Sequence, residues 1–221
     1  MPVPSDAAMR IAIYDLDRTL TRKATFTPFL LFAARKVASW RLALVLVWLL
    51  AMLAYRLGAM SRARLKLFGM QLLVGRRARS ELEALGSQFA ARVMAADGLM
   101  PGTLLLLEKD REAGARLVLA TAAFDIYASA FATALGFDEM VATRWDGFER
   151  VPDNCYADTK LASVLDRQPE IGEARTRFVS DSFADAPLLD KVDEPIFATT
   201  SQRKAKKAAA RGWRVIDPRE S

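Results

Sequence analysis

The stretch Arg10-Ile11-Ala12-Ile13-Tyr14-Asp15-Leu16-Asp17-Arg18-Thr19 sets the expected fold of this 221-residue chain. Arg10 to Tyr14 reads as a short buried strand, and the apolar run stops at two acids separated by a single leucine. Sites in open parallel sheets gather just beyond strand ends, so Asp15 and Asp17 stand where chemistry is expected. Alone, the pair is weak: the two carboxylates face one site if the strand continues and diverge if the chain turns.

Working outward, Thr25 to Val37, Trp40 to Met60, Ala63 to Val74 and Arg79 to Ala96 have helical character. Breaks are expected at Pro28, Gly58, Gly75 and Asp97-Gly98, followed by Pro101-Gly102. The period then changes. Leu117 to Ala120 is a short apolar run before Thr121, and Ile126 to Leu135 reads as a helix. Two short strands are expected within Glu139 to Arg150 around Asp146-Gly147, then a helix from Thr159 to Arg167. Arg177 to Ser180 is a further buried strand ending at Asp181. Pro195 to Thr199, a helix from Gln202 to Arg211 and Trp213 to Ile216 complete the alternation. The expected fold is α/β: a Rossmann-like parallel sheet built from residues 1–21 and 101–221, with a helical cap, residues 22–100, inserted after the first strand. The Lys204 to Arg211 segment presents either a solvated helix face or an anion-binding one.

Composition narrows the chemistry. A chain that is 52% hydrophobic can bury a full core. It has no histidine and one cysteine, Cys155, which excludes His-based triads, most zinc hydrolase sites and internal disulfides. Acid–base work falls to carboxylates, lysine or tyrosine. Met1 to Ala8 lacks the basic start and apolar middle of a signal peptide, so a cytoplasmic main domain is expected. Charge is segregated: between Thr21 and Ser80 there are 12 basic residues and no acids, whereas the rest of the chain carries a formal −6.

Asp15 and Asp17 do not stand alone. Thr121, Lys160, Asp181 and Asp185 all fall near expected strand ends or a helix start, so one crevice could receive acidic, hydroxyl and cationic groups. In order and spacing these positions resemble the haloacid dehalogenase-like phosphatase superfamily. Asp15-Leu16-Asp17-Arg18-Thr19-Leu20-Thr21 is similar to its first motif, Thr121 to the second, Lys160 to the third, and Asp181-Ser182-Phe183-Ala184-Asp185 to the fourth. The chain looks most like subfamily IB, the branch of phosphoserine phosphatase-like and phosphatidylglycerophosphatase C-like proteins. The resemblance implies Asp15 as nucleophile and Asp17 as general acid and then base, with Thr121 and Lys160 binding the phosphoryl group. It also implies Mg²⁺ held by Asp15, the Asp17 backbone carbonyl and Asp181, with Asp185 in support. Arg18 departs from the small residue frequent after the second acid, and either points out or contacts substrate.

Leu42 to Tyr55 is a run of 14 uncharged residues between Arg41 and Arg56. As a helix it would measure about 21 Å, short of a roughly 30 Å hydrocarbon core. It has no polar stripe, so it is buried in the cap or a partner, or it enters a membrane interface. Basic flanks favour an anionic membrane, with Trp40, Arg41, Trp48 and Arg56 as contacts and the inner face of the cell membrane as location. Nucleic acid is disfavoured, because the basic region lacks an aromatic polar face. The leading expectation is a Mg²⁺-dependent phosphomonoesterase acting on an anionic lipid phosphate such as phosphatidylglycerophosphate. A soluble phosphoserine-like ester and a noncatalytic membrane-associated protein are the alternatives.

Overall fold

The computed structural model describes residues 10–220; the reading of Met1 to Ala8 lies outside them. Strand β1 (Arg10–Tyr14) alternates side chains between two buried faces: Ala12 and Tyr14 enter one apolar cluster, Ile11 and Ile13 the other. Burial on both faces is what an apolar run without alternation demands. The other strands are β2 (Arg116–Phe124), β3 (Glu139–Thr143), β4 (Arg175–Ser180), β5 (Glu194–Ala198) and β6 (Arg214–Ile216). They form one parallel sheet in the order β3-β2-β1-β4-β5-β6. From β1 the chain builds outward to β3, then returns to β4 and builds the other way. The β1/β4 boundary is therefore the switch point where an open sheet leaves a crevice at its carboxyl edge.

Between β1 and β2 lie α1 (Phe26–Val37), α2 (Val45–Arg56), α3 (Arg62–Gly69), α4 (Arg79–Ala95) and α5 (Pro101–Glu112). A 3-10 segment, Ser39–Leu44, leads into α2, and a π turn, Met70–Val74, extends α3. The expected break at Pro28 is not there: proline fits the first turn of α1, where an N–H has no helical acceptor anyway. Gly58 and Gly75 do mark chain reversals, both at positive φ. Helix α5 was not anticipated; Pro101 opens it rather than closing what precedes it. The apolar residues of α1, α3 and α4 merge with Ala12, Tyr14 and Leu119 of the sheet into one cluster. At Gly86 helix α4 passes so close to α6 (Asp125–Ala134) that any Cβ would meet the Ile126 carbonyl and the Tyr127 main chain.

The second half holds α7 (Asp158–Arg167), α8 (Ala186–Leu189) and α9 (Gln202–Ala209). Of the two strands expected within Glu139 to Arg150, only β3 forms. Beyond Thr143 the chain leaves the sheet, and Trp145 turns inward against Phe124 and Phe148 at centroid distances of 5.1 and 4.8 Å.

Helix α2 corrects two expectations. Trp48, read as a membrane contact, is 1% exposed. It packs edge-on to Phe26 at 5.9 Å and against Gly69, where a Cβ would lie 2.7 Å from the indole. A run with no polar stripe carries no phase, so the sequence could not say which side turns inward. Arg41, also read as a membrane contact, instead donates to the carbonyls of Gln71 (3.0 Å) and Leu72 (2.8 Å), tying down the π turn. The opposite side of α2 agrees with the expectation of an apolar surface: Trp40, Leu46, Leu50 and Leu57 are each at least 66% exposed, and Arg56 is exposed. Ser39–Arg56 is 18 helical residues of mean hydropathy 1.4, long and apolar enough to cross a membrane by length and composition.

Candidate active site

Beyond Tyr14 the chain turns instead of continuing as a strand. The amides of Thr19, Leu20 and Thr21 all converge on the Leu16 carbonyl, and Arg18 takes the left-handed conformation at φ 62°. That turn determines where the acid pair points. Asp15 is anchored through its amide to the Val179 carbonyl (2.9 Å) at the end of β4. Asp17 is displaced toward α1, where its Oδ1 accepts from the Thr25 amide (2.8 Å) and hydroxyl (2.7 Å). Both still line a single cleft of about 420 Å³, with Arg18, Thr121, Lys160, Asp181 and Asp185 also on its wall. The structure thus brings together every site residue expected from the sequence except the membrane contacts.

At its centre lies a buried triad of charges. Lys160, on the first turn of α7 and 2% exposed, places Nζ 3.0 Å from Asp15 Oδ1 and 2.9 Å from Asp185 Oδ2. Ser180 donates to the same Asp185 oxygen at 2.7 Å. Burial, reinforced by repulsion from Asp185 and Asp17, outweighs the attraction of the Lys160 ammonium and lifts the Asp15 carboxyl to about 7. For Lys160 the balance runs the other way, since two carboxylates raise its affinity for the proton despite burial. The two shifts differ because Lys160 has two acidic partners whereas Asp15 shares one ammonium. The buried triad itself carries one ammonium for two carboxylates, so a further cation would offset the remaining charge.

The donors suit such a cation. Asp185 Oδ1 is buried without a hydrogen-bond partner among the described residues, an orphan that costs free energy unless something positive or protic meets it. Hard oxygen donors of this kind match Mg²⁺. Among the described residues no three acidic, histidine or cysteine side chains group closely enough to hold an ion unaided. Asp15, Asp181 and Asp185 nevertheless share one wall, so a cation there would draw on their carboxylates together with main-chain or water oxygens. Asp181 faces the same cleft with its Oδ2 3.5 Å from Lys204 Nζ, and its carboxyl is pushed upward by burial, against the pull of Lys204 and Arg18. Lys204 thus gives the α9 lysines an acidic partner on this wall.

Thr121 lies in β2, not at its end; the strand runs on to Phe124 through an irregular register, and Thr121 Oγ1 accepts from the Ala123 amide at 3.0 Å. Several contributors escaped the sequence reading. Thr25 orients Asp17. Thr19 receives the Asp181 amide at 3.0 Å. Lys66 of α3, 4% exposed, donates to the Ala122 carbonyl and to Asn154 Oδ1 (2.6 Å). Burial, aided by nearby Arg62, lowers its ammonium to about 7. Lys66 sits among 12 basic residues, and nothing in composition singles out the one that turns inward.

Comparison with known proteins agrees with this fold. A search of curated proteins returned no match. Among solved structures, one described as a protein with unknown function from Bordetella pertussis Tohama I superposes with a TM-score of 0.83 at 27% identity, covering 96% of this chain and 100% of that one. A HAD family hydrolase from Salmonella enterica serovar Typhi gives 0.67 at 15% identity over 96% of this chain and 69% of that one. A phosphoserine phosphohydrolase-like protein from Francisella tularensis SCHU S4 gives 0.62 at 17% over 94% and 95%. At such identities the last two speak for the shared fold. The sequence pattern of haloacid dehalogenase-like hydrolases matches residues 12–190. Because that match covers most of the chain, including both the Asp15–Asp17 turn and the Asp181–Asp185 segment, the chain belongs to the haloacid dehalogenase-like hydrolase family.

Proposed function

We propose that the chain is a Mg²⁺-dependent phosphomonoesterase that works through a phospho-aspartate at Asp15 and acts on an anionic lipid phosphate such as phosphatidylglycerophosphate. In this reading residues 22–100 form a cap over the catalytic remainder and work at the inner face of the cell membrane. The single observation that carries the chemistry is the Lys160 ammonium shared by Asp15 and Asp185 at the sheet's switch point.

In the first half-reaction an Asp15 oxygen attacks phosphorus as the ester P–O bond breaks, and Asp17 gives the departing oxygen a proton. In the second, Asp17 takes a proton from water as that water attacks phosphorus, releasing phosphate and restoring the Asp15 carboxylate. Thr25 fixes one Asp17 oxygen and so directs the other toward the leaving group. Lys160 has three donors and uses two on carboxylates, leaving one for a phosphoryl oxygen, and Thr121 offers a hydroxyl to the same group. When bound, Mg²⁺ supplies positive charge that offsets repulsion between Asp15 and the dianionic ester.

The lipid assignment draws on α2. Its outer side exposes Leu46, Leu49, Leu50 and Leu53, in a segment with no acidic residue to repel an anionic surface. Its inner side is packed through Trp48, so the helix is expected to lie on the membrane and not to span it.

A phosphate-release screen with lipid and soluble phosphomonoesters, with and without Mg²⁺, tests the proposal, with Asp15→Asn as the matched control. The expected result is Mg²⁺-dependent release from lipid esters, at least 10³-fold lower in Asp15→Asn. Turnover confined to soluble esters would move the substrate to the phosphoserine-like class. No turnover of any ester would favour a noncatalytic role.

A further inference from the structure

The phosphate cleft continues into a chamber of about 370 Å³ whose wall includes Asp17, Trp48, Met52 and Arg62, the last stacked 4.3 Å over the Tyr156 ring. A larger cavity, about 560 Å³, lies on the other side of the segment that carries Thr25. It contains none of Asp15, Asp17, Thr121, Lys160, Asp181 or Asp185, and Ala24 is the one residue it shares with the cleft and the chamber. Two helices make its walls. Positions 28, 31, 32 and 35 of α1, and positions 89, 92, 93 and 96 of α4 and its C-terminal cap, each follow a single helical face. The helices run antiparallel: Phe89 meets Phe29 and Phe32 at centroid distances of 5.6 and 5.8 Å, and beyond α4 the Asp97 and Gly98 carbonyls receive Arg22, which precedes α1. One end of the groove is therefore formed by residues 21–25 and 96–98, where the chain enters and leaves the helices between them.

The lining combines hydrocarbon with unbalanced charge. Leu31, Phe32, Phe89 and Val93 make an apolar floor. Arg22, Lys23, Arg35 and Arg92 face one acid, Asp97, and Arg22 takes that acid at 2.8 Å. Among the described residues the other three cations form no ion pair. Lys23 and Arg92 flank the end at residues 21–25, and Arg35 stands at the far end of the α1 face. A small hydrophilic anion would leave the floor wet, and a neutral chain would leave the cations without a partner. The complement is an anionic head on hydrocarbon. Room for about one drug-sized ligand selects a single chain over a diacyl lipid.

We propose that this groove is an effector site for a long-chain carboxylate, with the head between Lys23 and Arg92 and the alkyl chain along the floor toward Arg35. A carboxylate accepts parallel hydrogen bonds from a guanidinium, and the aliphatic stem of Arg35 covers the end of the chain while its charge stays in water. The occupant bears on catalysis through the segment it touches. Residues 21–25 all line the groove, and Thr25 at their end fixes Asp17 through its amide (2.8 Å) and hydroxyl (2.7 Å). Asp97, at φ 52°, closes the opposite crossing. Such positions absorb the backbone changes of a moving lid. A ligand bridging both crossings holds them still, so it lowers kcat without competing for the cleft. Binding stands on the groove alone, whereas the effect on turnover rests on the phosphomonoesterase reading.

Fluorescence titration of the full chain with dansyl-undecanoate, at low salt and without detergent, reads the site. Saturable binding is expected, displaced by dodecanoate but not by dodecanol or by inorganic phosphate with Mg²⁺. Lys23→Glu combined with Arg92→Glu should weaken it by about tenfold or more. Ala96→Trp, which fills the groove and keeps its charges, should do the same, while Leu50→Ser on the outside of α2 should leave affinity within about twofold. Saturating dodecanoate should lower kcat for p-nitrophenyl phosphate by about threefold or more at unchanged KM, and should not do so in the doubly charge-reversed variant. Equal displacement by dodecanol, displacement by phosphate, or binding lost in Leu50→Ser and kept in both groove variants overturns the site. Binding with unaltered kcat overturns its role as an effector. Absence of turnover with any phosphate ester while binding persists removes the phosphomonoesterase reading and leaves the groove's ligand assigned.

Discussion

Replacing Lys66 with methionine should abolish a specific part of the protein's pH-dependent stability. In the folded chain the Lys66 ammonium is buried and releases its proton near pH 7, whereas in the unfolded chain it behaves as an ordinary lysine at 10.5. Above about pH 7 the unfolded state therefore binds more protons than the folded one, and stability rises with pH. The neutral amine keeps both donors that the Ala122 carbonyl and Asn154 require, so the gain comes without breaking those bonds. Each full unit of pH is worth about 1.4 kcal/mol, and because the transition is gradual around its midpoint the rise between pH 7 and 9 amounts to about 2 kcal/mol. Two other groups bound the window. Burial raises the Cys155 thiol to about 11, so stability falls again once the unfolded thiol ionises above about pH 9. Asp15, lifted chiefly by burial to about 7, adds stability at low pH that is lost as pH climbs toward 7. The Asp15 effect is common to wild type and variant and cancels in the difference, and the Cys155 effect, which the Lys66 charge itself modulates, enters only above about pH 9. Urea unfolding of the metal-free proteins at half-unit steps from pH 7 to 9 reads that difference directly. Parallel curves would show that the pairing with Ala122 and Asn154 keeps Lys66 charged, and would refute the linkage.

Lys160→Met leaves Asp15 and Asp185 facing each other without a cation and should destabilise the metal-free protein by about 3–5 kcal/mol, measured by denaturant titration; added Mg²⁺ should restore part of it. Trp48→Ala should cost about 3–5 kcal/mol, whereas Leu50→Ser should leave the midpoint within about 0.5 kcal/mol yet reduce co-sedimentation with anionic vesicles. Gly86→Ala should lower thermal stability more than Gly114→Ala, because its methyl meets the Ile126 carbonyl, whereas Gly114 faces open space and its cost is confined to a left-handed backbone at φ 73°; scanning calorimetry of the pair checks this. Thr25→Val should lower kcat with little change in KM, since it releases Asp17 without touching the phosphoryl group; steady-state kinetics decide it.

The alternation of strands and helices and the gathering of Asp15, Thr121, Lys160 and Asp185 were legible because each depends on local signals: an apolar run, its end, and the residue that follows. Orientation was not. Asp17 points toward Thr25 because Arg18 adopts a positive φ, and arginine gives no warning of that conformation. Lys66 and Arg41 were hidden for a related reason. Basic residues advertise a charged surface in composition, but a long side chain can as readily reach inward to a carbonyl. Tyr156 and Asn154 lie on the segment between β3 and α7, where no periodicity exists to be read, and their roles arise from what crosses over them from the cap.

The two sides of α2 also matter for how the protein can be altered. Positions 46, 50, 53 and 57 recur at helical spacing on the outside, while 48, 52 and 55 recur on the chamber wall. One helix thus carries two interleaved alphabets, one turned to the protein's surroundings and one to a chamber of about 370 Å³ beneath it. Changes that make the enzyme easier to keep in solution can be confined to the first set, and changes that reshape the chamber to the second.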